Sequence, residues 1–330
     1  MEKPDLLYSA PPHLNSGDTV SRAMRDVLLA LVPIVVVSTI FYRLNAIFIL
    51  LVCNITAAFT AWGMRKLIGK PHSLEDLSAF VTGTLLALAL PPTFPWWLAV
   101  IGTFLAVGVA KEMCGGLGWN MFNPAVFGRV ALIILAPAFV WLNADMAPLH
   151  LRFGIIDVTS GATPLALLKL GQGQLLPSYS ALFIAHPGGS MAESSVLAVL
   201  IGGLYLLYRG HINWRTPVFA IGTVFALTML LGSNPFYHVL AGGLVFGSFF
   251  MATDWVTTPI TDAGKIIFGV GMGIIVSLIR LYQAAPEGVA FSILLMNPLV
   301  PLIDALTRPR KFGQIVEARI PVIRIKTVSK

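Results

Sequence analysis

Apolar runs close to membrane length recur along this chain, and they constrain its fold more than any other feature. A helix needs about 20 mostly apolar residues to cross the hydrocarbon layer. Ten segments approach that pattern: 24–42, 44–62, 77–91, 95–111, 125–141, 194–208, 216–232, 236–252, 264–282 and 287–304. Inside lipid the backbone finds no water, so its polar groups must bond to each other, and helices do this within one segment. The sequence therefore predicts an all-α polytopic membrane protein with about ten transmembrane helices. Charged residues make up only 11% of the chain, against roughly 25% in soluble domains. Gly and Pro, 30 and 22 copies, often fall inside the apolar runs. Membrane helices tolerate them where neighbours re-satisfy the backbone. "GGLVFGSFF" offers small residues at helical spacing for close helix packing.

These runs divide the chain into five parts: a polar N-terminal segment 1–23, a first membrane half 24–141, a loop 142–193, a second membrane half 194–304 and a basic tail 305–330. The start, "MEKPDLLYSAPPHLNSGDTVSRAMRD", lacks the short apolar core of a cleavable signal peptide. With the N-terminus in the cytoplasm, 18 of the 22 Lys and Arg residues fall on the inside. Arg43, Arg152, Lys169 and Arg280 remain outside. The bias predicts cytoplasmic termini and an outer 142–193 loop; one missed span before that loop would reverse its side. The basic residues flank membrane segments, so the net charge of +7 speaks for topology and lipid contact, not for nucleic acid. Cys53 and Cys114 cannot complete a cysteine-ligated cluster, and both read as small buried hydrophobes. "PWWLAVIGTFLAVGVAKE" and "PFYHVLAGGLVFGSFFMATD" echo one another. The echo reflects shared composition or a pair of interrupted segments marking a binding site.

Four stretches are more polar than their surroundings warrant. "KEMCGGLGWNMFNPAVFGR" places Asn120 and Asn123 after three glycines, with Pro124 where a helix can start. It is an ordinary cytoplasmic loop or a re-entrant one whose amides face a ligand. "MATDWVTTPITDAGK" carries Asp254 and Asp262 at the end of an apolar run, where an ionisable residue is a functional candidate and an interfacial Asp is also common. Asn297 lies mid-span before Pro298, where its side chain can bond freed backbone groups, and Asp304 lies near the inner face. The fourth stretch is "DVTSGATPLALLKL", residues 157–170, a small hydroxyl-rich turn in the longest gap between spans. Thr163 there can cap a helix starting at Pro164. The six histidines are scattered without metal-ligand spacing, and no phosphate-cradling glycine fingerprint follows a strand.

Taken in order, "SGATPL", "GGLGWNMFNPA", "FMATDWVTTPIT" and "PEGVAFSILLMNPLVPLIDALTRPRKFG" resemble the family of D subunits of Rnf electron-transport complexes. That family is related to the B subunit of the sodium-pumping NADH:quinone reductase. The likeness runs from "YSAPPH" before the first span to "TRPRKFG" after the last. It implies that a flavin transferase moves FMN onto the threonine ending a D-x-x-S-G-A-T motif. Here that motif is Asp157, Ser160, Gly161, Ala162 and Thr163, so Thr163, not Ser160 or Thr159, would carry FMN through a phosphoester. Small neighbours leave a hydroxyl nucleophile reachable, which agrees. The resemblance also implies a non-covalent riboflavin, with Asn120, Asn123 and Asp254 as candidate contacts. One departure stands out: the family usually has Pro after the Asp of M-A-T-D, and this chain has Trp255, an indole suited to stacking or interfacial anchoring.

The family's fold is two inverted five-helix halves resembling urea and ammonium transporters; the echo above pairs helices of the same orientation and does not support that inversion. Its activity is electron transfer between NADH and ferredoxin coupled to Na⁺ or H⁺ movement. Its partners are the A, B, C, E and G proteins of the Rnf complex, above all the flavinylated G protein. Its place is the bacterial inner membrane, with the FMN loop periplasmic. The competing expectations are a plain solute transporter or channel of that fold, which leaves the SGAT loop unexplained, and a structural anchor, which needs none of the polar stretches.

Overall fold

The computed structural model of the chain describes residues 19–69, 75–136, 164–169, 176–185, 189–282 and 288–309. Every regular element among them is helical. Helix α1, Val20–Tyr42, starts where the Thr19 hydroxyl accepts the Arg22 N–H at 3.2 Å. Helix α2, Leu44–Ile68, follows after a single residue. Then come α3, Ser78–Ala89, and α4, Trp96–Phe104, which widens into a π-helix over Leu105–Met113. Helix α5 is Pro124–Leu135. Two short helices, α6 (Pro164–Lys169) and α7 (Tyr179–Ile184), precede α8 (Val196–Tyr208) and α9 (Arg215–Leu230). Helix α10, Pro235–Leu240, breaks before α11, Leu244–Phe246, which again widens into a π-helix, Gly247–Met251. The chain ends in α12 (Asp262–Tyr282), α13 (Val289–Met296) and, after a 3₁₀ turn, α14 (Val300–Thr307).

Five of these helical stretches are long and apolar enough to cross a membrane: Val20–Tyr42, Leu44–Ile68, Trp96–Met113, Asp262–Tyr282 and Val289–Thr307. Four shorter apolar helices and the broken α10–α11 segment fill the other expected spans. The chain is an all-α polytopic membrane protein. Its lipid face shows in stripes of exposed apolar side chains at helical spacing, such as Leu51, Ile55, Phe59 and Trp62 on α2.

The halves pack alike. In the first, α2 lies against α3 and α4; in the second, α9 lies against α10 and α12. Between halves, α1 packs on α8 and α5 on α13. The α1–α8 seam is closed by Gly202, where a Cβ would stand 2.0 Å from the Ala30 carbonyl oxygen. Only glycine permits that approach.

Some expectations need correction. The expected span 77–91 is a 12-residue helix, about 18 Å long at 1.5 Å per residue, short of the roughly 30 Å hydrocarbon layer. All of α3 except Phe80 is buried in protein, so lipid never has to cover its ends. The expected continuous span 236–252 is broken at Ala241–Gly243, where Gly242 takes φ +73°. The carbonyls freed there are met by Arg280, which donates to the oxygens of His238 and Ala241. The charge bias puts Arg280 at the outer surface; it is buried, as are Lys111 and Arg129, so these three report packing and not topology. Cys53 is buried as expected, but Cys114 is exposed on the turn that ends the first π-helix. Asn297 does not bond its own helix: its Nδ2 donates to the Thr257 carbonyl at 3.3 Å. Both echo segments share more than composition, since each ends in a π-helix that runs into a polar turn.

Candidate functional site

The two π-helices converge on one cavity. Its volume is about 80 Å³, smaller than the roughly 300–1,000 Å³ typical of ligand sites. Its apolar walls come from α1, α3 and α8 and from Phe249 and Phe250 of the second π-helix. Its polar groups come from the two turns after the π-helices. Asn120, Asn123 and Asp254, named from sequence as far as 134 residues apart, all line it.

Their roles differ. Asn123 Oδ1 accepts the N–H groups of Ala125 and Val126 at 3.0 and 3.3 Å, capping α5. Its Nδ2 donates to the Met251 carbonyl at 3.0 Å, tying the first half to the end of the second π-helix. Asn123 thus shapes the cavity wall. Asn120 Nδ2 donates to the Phe122 carbonyl at 3.1 Å, while its buried Oδ1 has no hydrogen-bond partner. Asp254 is half-buried and accepts the Thr257 hydroxyl at 3.1 Å. Withdrawal from water pushes its carboxyl above the ordinary carboxylate range, against the pull of Thr257, nearby backbone N–H groups and the charge of Lys111. Trp255, the departure from the family pattern, also lines the cavity, and its indole N–H donates to the His211 carbonyl at 2.6 Å.

Sequence reasoning missed several groups. Lys111, which the charge bias counts as a surface residue, is buried in the first π-helix and donates to the Ser78 hydroxyl at 2.5 Å. Behind it, Arg65 bridges Asp76 at 3.0 Å and Glu112 at 3.3 Å. Asp76 lies outside the spans. Burial alone would raise its pKa, but the hydrogen bonds from Ser78 and Arg65 outweigh that and hold it below its ordinary value. Asp26 of α1 accepts Tyr205 at 3.1 Å, Arg209 at 2.8 Å and His211, which lines the cavity, at 2.6 Å. The signal available in sequence was an aspartate two residues into an expected span. Asp262, a candidate by sequence, pairs with Arg215 at 3.0 Å, and Asp304 accepts the Ile260 N–H at 3.0 Å. Both serve structure away from the cavity.

Asp157, Ser160, Gly161, Ala162 and Thr163 lie outside the described residues. The helix expected to follow them does begin at Pro164. Its Leu165 packs with Leu182 and with Ala241 at the α10–α11 break.

The chain is similar to known proteins along nearly its whole length. The model of the NQR2, RnfD, RnfE family matches residues 7–313. The D subunit of the proton-translocating ferredoxin:NAD(+) oxidoreductase complex of Clostridium ljungdahlii is 43% identical, covering 95% of this chain and 98% of that one. The D subunit of the Na(+)-translocating ferredoxin:NAD(+) oxidoreductase complex of Acetobacterium woodii is 39% identical over 95% of this chain and 97% of its own length. The D subunit of an ion-translocating oxidoreductase complex of Stutzerimonas stutzeri is 39% identical over 93% and 96%. With a family model matching residues 7–313 and relatives 39–43% identical over nearly their whole length, the chain belongs to the NQR2, RnfD, RnfE family.

Proposed function

We propose that this chain is the D-type component of an Rnf complex, an ion-translocating oxidoreductase that passes electrons between NADH and ferredoxin. The relatives' names divide between proton and sodium translocation. In this reading Thr163 carries FMN by a phosphoester, installed by a flavin transferase, and the cavity holds a riboflavin. The observation that carries the second flavin is the convergence of Asn120, Asn123 and Asp254 on one cavity. The residues present suit such a group. Phe249, Phe250, Val81 and Leu85 offer apolar faces, and Asn120 Oδ1 is a buried acceptor in need of a donor.

A bound flavin would supply one-electron chemistry, and the protein supplies its position, its electrostatics and its isolation from water. The aromatic pair excludes solvent from one side. Lys111, Asn120 and Asp254 set the polar end, and Asn123 fixes the spacing of the two π-helices that present them. Partners in this reading are the A, B, C, E and G proteins of the Rnf complex, with G beside the outer loop. We place the chain in the bacterial inner membrane with both termini cytoplasmic and the Thr163 loop periplasmic. The basic bias still supports this after Lys111, Arg129 and Arg280 are set aside.

The test is co-expression with the flavin transferase. A denatured gel band should fluoresce as flavin and go dark in Thr163→Ala. Acid extraction of the assembled complex should release riboflavin. A dark wild-type band with an active transferase sinks the covalent site, and an extract without riboflavin sinks the second.

A further inference from the structure

We propose that Lys111 and Asn120 together read the polar edge of the cavity's ligand, and that Lys111 is the fixed positive charge that raises the ligand's affinity for electrons. The inference rests on reading the cavity as a flavin site and adds which edge of the ring faces which residue.

Lys111 is 1% exposed. Its ammonium has three donor hydrogens, and among the described residues it makes one hydrogen bond, to the neutral hydroxyl of Ser78 at 2.5 Å. Of the carboxylates whose charge reaches it, Asp76, Glu112 and Asp254, the first two are engaged elsewhere. Asp76 and Glu112 both pair with Arg65, and Ser78 passes its own proton toward Asp76 Oδ1 at 2.8 Å. The ammonium is therefore held from behind and faces the cavity with donors to spare. A buried ammonium with one neutral partner is costly unless something electronegative completes it. Asn120, 5% exposed, presents the opposite need. Its Oδ1 is a buried acceptor without a donor, while its Nδ2 is committed to Phe122.

A ligand that satisfies both must carry an acceptor able to take negative charge next to an N–H or O–H donor. Both must lie on one rim of a flat body that fits between the apolar walls. The pyrimidine edge of an isoalloxazine has this order: N1 and the C2 carbonyl accept, and N3–H donates. A quinone offers acceptors but no ring donor, and would leave Asn120 unmet. A flavin held there would supply the electron chemistry, and Lys111 beside its N1 and C2 carbonyl would favour reduction by its positive charge.

The experiment uses the purified, assembled complex. Riboflavin in an acid extract is quantified first; its absence from wild type refutes the flavin reading itself. With riboflavin present, dithionite titration follows the non-covalent flavin in wild type, Lys111→Arg and Lys111→Met. The midpoint potential should fall in Lys111→Met and stay near wild type in Lys111→Arg, while the covalent flavin is unchanged in all three. In a competition assay, N3-methylriboflavin, which lacks the N3–H, should bind wild type about tenfold more weakly than riboflavin. The gap should close in Asn120→Ala. An unchanged potential in a riboflavin-loaded Lys111→Met, or equal binding of the two flavins by wild type, overturns the proposal. The competition on wild type needs no variant, so it decides even if Lys111→Met fails to assemble.

Discussion

Gly202→Ala is the sharpest test of the packing that builds the cavity. A Cβ at this position would stand 2.0 Å from the Ala30 carbonyl oxygen and 2.9 Å from Phe250 Cζ. A carbon and a carbonyl oxygen in contact sit about 3.3 Å apart or more, so α8 must retreat from α1 by about 1.3 Å. The obstacle is helix backbone, which cannot rotate aside as a side chain can. Overpacking of this kind costs about 1–3 kcal/mol. At the middle of that range the thermal midpoint falls by on the order of 5 °C. The displacement also moves Phe250 in the cavity wall, so riboflavin content should fall with stability. Gly222 is the control: a Cβ there meets nothing within 4 Å, and Ala favours helix by up to about 1 kcal/mol. Gly203→Ala lies between, because its nearest obstacle is the side-chain ring of Phe249 at 2.5 Å. Detergent-solubilised complexes would be heated and followed by fluorescence-detected size exclusion, with flavin extracted in parallel. A Gly202→Ala complex as stable and as riboflavin-rich as Gly222→Ala would refute the close α1–α8 seam.

Three further outcomes follow from the same geometry. Asp26→Ala should cost about 2 kcal/mol, below the roughly 3–5 of a fully buried pair, because Arg209 is 41% exposed and rehydrates; thermal melts would show it, and a neutral melt would count against the cluster. Asp76 has a folded pKa below its ordinary 3.8. Its stabilisation is therefore full above that value and lost as pH falls through the lower, folded one. The melting difference between wild type and Asp76→Asn should hold steady from neutral pH to about pH 5 and shrink below about pH 4; a difference that grew on acidification would reverse the assigned sign. Asn123→Ala removes a helix cap and orphans the Met251 carbonyl, for a loss of about 2 kcal/mol. Asn123→Asp keeps the cap and should recover about half of that in the same assay.

Segment length and hydropathy made all ten apolar stretches legible, because crossing lipid imposes one length on whatever crosses it alone. They marked α3 as a span but not its shortness, because a helix sheltered by protein escapes that rule. The α10–α11 break was foreshadowed by Gly242-Gly243, but only Arg280, 38 residues later in sequence than Gly242, makes the break tolerable. Asn120, Asn123 and Asp254 stood out as polar groups amid apolar sequence, which is a local signal. Lys111 did not, because a lysine at the end of an apolar run also looks like a surface anchor, and its burial depends on α3 closing over it. Asp26 and His211 are 185 residues apart, and no local pattern joins them.

The shortness of α3 has a consequence for how the chain enters the membrane. A 12-residue helix does not present the insertion machinery with enough apolar length to be released into lipid by itself. The interrupted α10–α11 segment shares that defect. Both must be held near the translocon, or slip back, until the long helices around them have arrived. Helix α5 lies against α3 and follows it in the chain, and α8 comes later still to seal α1. The order of synthesis and the order of insertion therefore part company. Mutations that lengthen α3 with apolar residues should speed its capture as an independent span and trap the first half in a topology from which the cavity cannot form.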